Sequence, residues 1–199
     1  MEPWRRFGKK LLVLSAVMVV TTTILAKVAE GLAGSEGTPV DGLQISVLPA
    51  QTADQSELRP AFTVELRNLG DHDLILNLGI MLANGRRQYA DAITLLLGFP
   101  SGSKQRLVLM GPAFVAGRMD PLVVPLPVGA SFSIPVDFTK FAPFGKDPLK
   151  LEPGTYVLQA QFQGKKAINP NLDMQGMALM PYWTGTVISN KLQFEIGMR

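Results

Sequence analysis

The sequence predicts an all-β fold: an antiparallel β-sandwich of about eight or nine strands, preceded by an N-terminal hydrophobic helix. Three observations carry this. Apolar residues recur at every second position in six separate runs, and no comparable stretch repeats at 3.6 residues. Turn-forming groups of Gly, Pro, Asn and Ser stand between the runs. One uncharged, mostly apolar stretch lies apart from them near the N-terminus.

That stretch is residues 11–26, LLVLSAVMVVTTTILA. Arg5, Arg6, Lys9 and Lys10 precede it, and Lys27 and Glu30 end it. A basic start, an apolar middle and small residues beyond form the three parts of a secretory signal. Cleavage could follow Ala26 or Ala33, although neither site is a clean A-x-A. The alternative is an uncleaved membrane anchor. A 16-residue helix rises about 24 Å, short of the ~30 Å hydrocarbon core, and Thr21, Thr22 and Thr23 weaken it, so the cleaved signal is the favoured reading. Either way the remainder is expected outside the cytoplasm, periplasmic or secreted, or tethered to the inner membrane through residues 11–26. The expected organisation is residues 1–33 as signal or anchor, 34–42 as a Gly-rich linker and 43–199 as the sandwich domain.

The strands follow in order. Ile45 and Val47 alternate with Gln44 and Ser46; Phe62, Val64 and Leu66 alternate with Thr63, Glu65 and Arg67. Leu74, Leu76, Leu78, Ile80 and Leu82 share one expected face, opposite Asn77 and Gly79. Phe132, Ile134, Val136 and Phe138 oppose Ser131, Ser133 and Asp137. Tyr156, Leu158, Ala160 and Phe162 oppose three glutamines, and Leu192, Phe194 and Ile196 oppose Lys191, Gln193 and Glu195. Each set gives one buried and one wet face. Asn68-Leu69-Gly70-Asp71, Asn84-Gly85, Ser101-Gly102-Ser103, Val128-Gly129 and Pro153-Gly154 are turns, Asn-Gly being the strongest hairpin signal. Pro135 cannot donate a ladder bond, which places its strand at an edge or a bulge. Strands wet on one side bury the other against a second sheet. Residues 110–127 and 165–182 show little periodicity and read as long irregular stretches.

Composition excludes several chemistries. With no cysteine there is no disulfide, thiol nucleophile or zinc ribbon, and the single histidine, His72, limits triads and metal sites. Residues 1–26 hold four of the 19 basic and one of the 16 acidic residues, so the net charge of +3 comes from the N-terminal segment and the rest is formally neutral. Arg86-Arg87 and Lys165-Lys166 are isolated pairs, and no nucleic-acid partner is expected.

Leu151-Glu152-Pro153-Gly154-Thr155-Tyr156-Val157-Leu158 resembles the turn-then-strand entry of immunoglobulin-like and fibronectin-like modules. Trp183-Thr184-Gly185-Thr186-Val187-Ile188-Ser189-Asn190, with the strand after it, resembles the W-x-G-x-x-x-S-N closing hairpin of uncharacterised exported bacterial sandwich proteins. The resemblance covers about a quarter of the chain. It implies an immunoglobulin-like sandwich and an exported location, and no substrate. Relatives often carry a cysteine near the Trp, which is absent here.

The candidate chemistry is sparse. His72 between Asp71 and Asp73 reads as a solvated turn. Asn169, Asn171 and Asp173 have the spacing of a calcium-loop opening but lack the later Gly and Glu. Met174, Met177 and Met180 recur at every third position; they read as flexible padding, with a soft Cu(I) site as the alternative. No nucleophile elbow, phosphate loop or zinc-protease motif occurs. A hydrolase would need a pocket of carboxylates with perturbed pKa values. Trp183 reads as a plug between sheets, with an exposed sugar-stacking or partner-binding Trp as the alternative; adjacent strand residues face opposite ways, so one of Tyr182 and Trp183 is expected to be outward. The resulting expectation is a non-catalytic, cofactor-free interaction module for a protein partner in the cell envelope. Its candidate binding residues are Arg86, Arg87, Tyr89, Tyr182 and Trp183.

Overall fold

Alternation becomes twelve strands among the residues that the computed structural model describes, which are 36–50, 61–82, 87–111, 118–145, 149–167 and 180–196. They are β1 (Leu43–Pro49), β2 (Phe62–Asn68), β3 (Leu74–Leu82), β4 (Gln88–Tyr89), β5 (Ile93–Gly98) and β6 (Lys104–Leu109). The series continues with β7 (Met119–Leu126), β8 (Ser131–Val136), β9 (Phe141–Pro143), β10 (Gly154–Gly164), β11 (Gly185–Ile188) and β12 (Leu192–Ile196). A single 3-10 turn, Phe138–Lys140, is capped by the Asp137 carboxylate. Residues 1–35, and with them the expected helix, signal, anchor and tether, lie outside the described residues. Among those described, no helix is long and apolar enough to cross a membrane.

Every named strand pair is antiparallel. One sheet runs β1-β2-β8, a second β11-β10-β5-β6-β9 and a third β4-β3-β7. β12 joins the second sheet on β10, following β11 along that strand. The arrangement is consistent with a β-sandwich: alternate residues of β1, β2, β5 and β10 meet in one core. Phe62 on β2 packs edge-on against Phe194 on β12, ring centroids 5.0 Å apart, and Phe194 stacks on Tyr156 of β10 at 5.4 Å.

Four local features differ from the alternation pattern. β3 carries a bulge: Asn77 pairs with Val123 and Gly79 with Leu122, leaving Leu78 as the extra residue. Leu78 is buried, and beyond it the phase flips, so Ile80 and Leu82 leave the core while Met81 packs against it. Gly79 sits at φ +141, and a Cβ there would strike the Tyr89 carbonyl and the Asp91 side chain. Asn77 is therefore buried rather than wet, donating to the Lys166 carbonyl at 3.3 Å and accepting from Gly79 N–H at 3.2 Å.

Residues 119–126, expected to be irregular, form β7. Pro121 and Pro125 obscure its pattern, and they are tolerated because β7 pairs only with β3 and has an open edge. β8, with Pro135, is likewise an edge strand. β1 is buried on both faces: Gln44 donates to the Gly37 carbonyl at 2.9 Å, so residues 36–40 cover its second side. The strand number exceeds the expected eight or nine, β4 and β9 being too short to show a period.

Candidate functional site

Among the described residues the strand edges leave an apolar cleft of about 210 Å³. Its walls are Leu78 of β3, Ile93 of β5, Leu109 of β6, Leu122 of β7, Ile134 of β8 and Phe141 of β9. Three sheets converge here and none closes over the opening, because β8 and β9 end their sheets and β4 is two residues long. Gln88, Asp137 and Lys140 bring polar atoms to it. Asp137 accepts from Thr139 N–H at 2.9 Å and Thr139 Oγ1–H at 2.6 Å, and Lys140 Nζ stands 3.6 Å away. The Thr139 hydroxyl above all holds this carboxyl below its usual range. A carboxylate held ionised is suited to orienting a donor and poorly suited to giving up a proton.

The expected binding residues fall in two places. Arg86 lies outside the described residues. Arg87 is exposed, its carbonyl accepting from Leu82 N–H at 2.9 Å. Tyr89 is half-buried on β4, opposite Ile80. Gln88 and Ala90 line the cleft, so alternation turns Tyr89 to the other side of β4.

Tyr182 and Trp183 lie at the opposite end of β3, beside Ile75: Tyr182 forms a parallel bridge with Ile75, and Trp183 N–H donates to the Ile75 carbonyl at 2.9 Å. The two places are not brought together. Trp183 is 5% exposed, its indole N–H donating to the Asp41 carbonyl at 3.2 Å and its ring stacked on Phe162 at 5.6 Å. It is the plug between sheets. The expectation that one of the two faces outward is not met: Tyr182 is 7% exposed. Strand alternation does not apply to it, because Tyr182 makes only an isolated bridge and β11 starts at Gly185. Among the described residues its buried hydroxyl has no hydrogen-bond partner, and burial raises its pKa. Both side chains are buried.

Met174 and Met177 lie outside the described residues, as do Asn169, Asn171 and Asp173. Met180 is partly exposed. His72 is 71% exposed and pairs with the Asp71 carboxylate at 2.8 Å, a solvated turn. Its hydrogen bond is the main reason that the Asp71 pKa is lowered. Among the described residues no three His, Cys, Asp or Glu side chains gather where a metal could sit.

The residues that pattern reading missed are buried amides and a hydroxyl. Asn68 is fully buried, donating to the carbonyls of His72 and Leu126 at 2.9 Å each and accepting from Gly70 N–H at 2.9 Å. The triplet Asn-Leu-Gly occurs at 68–70 and 77–79, and both times the Asn side chain accepts from the Gly N–H two residues on. That repeated triplet was the signal. Ser189 Oγ accepts from Ala160 N–H at 2.8 Å across the gap between β11 and β12, and Ser189 N–H donates to the Ala160 carbonyl. Asn190 accepts from Val47 N–H at 2.8 Å and donates to the Val47 carbonyl at 3.1 Å, bonding the free edge of β1 as a strand would. Within the Trp183–Asn190 segment, Trp183, Ser189 and Asn190 thus do structural work. No protein-family model matches the chain, and no curated protein matches it significantly.

Proposed function

We propose that the chain is a non-catalytic binding module of the extracytoplasmic space, built on an immunoglobulin-like sandwich. Two features support the immunoglobulin-like order. β1-β2-β8 opposite β6-β5-β10-β12 has the strand succession of such a domain, with β3, β4 and β7 as an insertion. Tyr156 Oη donates to the Glu152 carbonyl at 2.8 Å and accepts from Glu152 N–H at 3.0 Å, which is the tyrosine corner of these folds. The export reading rests on the basic-then-apolar pattern of residues 1–26.

The observation that carries the binding role is the cleft. An engineered apolar cavity of ~150 Å³ takes a benzene ring, so about 210 Å³ accommodates a Phe or Leu side chain of a protein partner. Gln88, Asp137 and Lys140 would meet polar groups flanking that anchor. A photo-reactive amino acid placed at Gln88, and a control at Gln159, test this in intact cells. One envelope protein cross-linked from position 88 and not from 159 is the expected result. No adduct at 88, or the same adducts at both positions, refutes it. The mass of the protein recovered from each cell fraction separately tests export and processing.

A further inference from the structure

An open strand edge is a template for another strand, and natural folds block such edges. Most edges here are blocked. β7 carries Pro121 and Pro125, and β8 carries Pro135. β9 has three residues and ends at Pro143, and β4 has two. On β1 the Asn190 amide occupies both backbone groups of Val47. The Gly37 backbone lies against the carbonyls of Ile45 and Ile188, covering β1 and the end of β11. The part of β6 not paired with β9, Lys104–Arg106, has no strand partner on that side among the described residues. There Lys104 and Arg106 would oppose each other in an antiparallel self-pair, and like charges repel.

β12 is different. It pairs with β10 on one side, and its other side has no strand partner among the described residues. It has no proline, and Lys191, Gln193 and Glu195 are exposed while Leu192, Phe194 and Ile196 are half-buried. We infer that β12 is a self-association edge, pairing antiparallel with β12 of a second copy of this chain about a two-fold axis at Gln193. In that register Lys191 of each copy faces Glu195 of the other, and Leu192 faces Phe194. The charge pairs form twice, because the interface is isologous. Other registers lose at least one of these pairs. The joined edges continue the second sheet from one copy into the next, and the backbone groups of both strands are satisfied together.

The full chain, purified with its native N-terminus, tests this by sedimentation equilibrium. The expected result is a dimer whose dissociation constant rises at least about tenfold in Lys191→Glu and in Glu195→Lys, since each replaces two attractions by two repulsions. The double variant Lys191→Glu/Glu195→Lys restores the native value, and an equimolar mixture of the two single variants forms heterodimers. Gln193→Cys, the sole cysteine in such a chain, closes an intermolecular disulfide on mild oxidation, and Gln105→Cys does not. A monomer at every concentration overturns the inference. So does a dimer whose dissociation constant is equal in all four proteins, or a double variant that stays as weak as the singles.

Discussion

Asn190→Ala removes the side chain that joins the C-terminal strands to β1. Val47 has no exposed surface, so its N–H and carbonyl turn to no solvent when the amide is lost. The native distances, 2.8 and 3.1 Å, are those of ordinary strand bonds. Stranding a buried donor or acceptor costs about 1–3 kcal/mol each. Two groups therefore cost about 2–6 kcal/mol, a large share of the ~5–15 kcal/mol that holds a domain folded. With a urea slope of about 2 kcal/mol/M, the midpoint falls by about 1–3 M at unchanged slope. Asn190→Asp is the informative partner. Its carboxylate still accepts from Val47 N–H but turns a second acceptor toward the Val47 carbonyl, so it recovers less than half of the loss. Urea unfolding followed by tryptophan fluorescence reads both, because Trp183 lies in the same closing segment. A loss under about 0.5 kcal/mol in Asn190→Ala, or native stability in Asn190→Asp, would refute the strand-mimicking role.

The buried Tyr182 hydroxyl predicts the opposite sign. Tyr182→Phe removes an unpartnered polar group, so stability should stay level or rise by up to about 1 kcal/mol, and a loss above about 1 kcal/mol would reveal a bond the geometry does not contain. Its raised folded pKa adds a pH signature: stability is intact below the unfolded value of about 10 and falls as pH climbs from there toward the folded one, and the fall should be shallower in Tyr182→Phe. At Gly164 a Cβ would run into the six-membered ring of Trp183, so Gly164→Ala should cost about 1–3 kcal/mol and shift the tryptophan emission; an unperturbed spectrum would show that the indole is not packed there.

Several strands were legible because the pleat imposes its own period. β2 and β10 bury the residues that alternation marks, β8 buries Val136 and leaves Phe132 and Ile134 half-buried, and Pro135 correctly put β8 at an edge. The tyrosine at 156 and the Trp183–Asn190 segment stood out as residues, yet their partners are far away in sequence: Val47 is 143 positions from Asn190. β7 was hidden because two prolines read as loop unless the strand is known to lack a second neighbour. The phase of β3 was wrong beyond Leu78 because a bulge inserts one residue and turns every later side chain over. The cleft left no local mark at all, since its six principal walls come from six different strands.

Local chain chemistry was therefore enough to establish an all-β, antiparallel protein without thiol chemistry and with a hydrophobic N-terminal segment. Side-chain period, proline and cysteine content act within a few residues and can be read there. The bulge, the burial of Tyr182, the amide lock on Val47, the cleft and the unguarded edge of β12 were decided only when the sheets came together. Each depends on which strand ends a sheet and what lies across from it, and that is a property of long-range pairing.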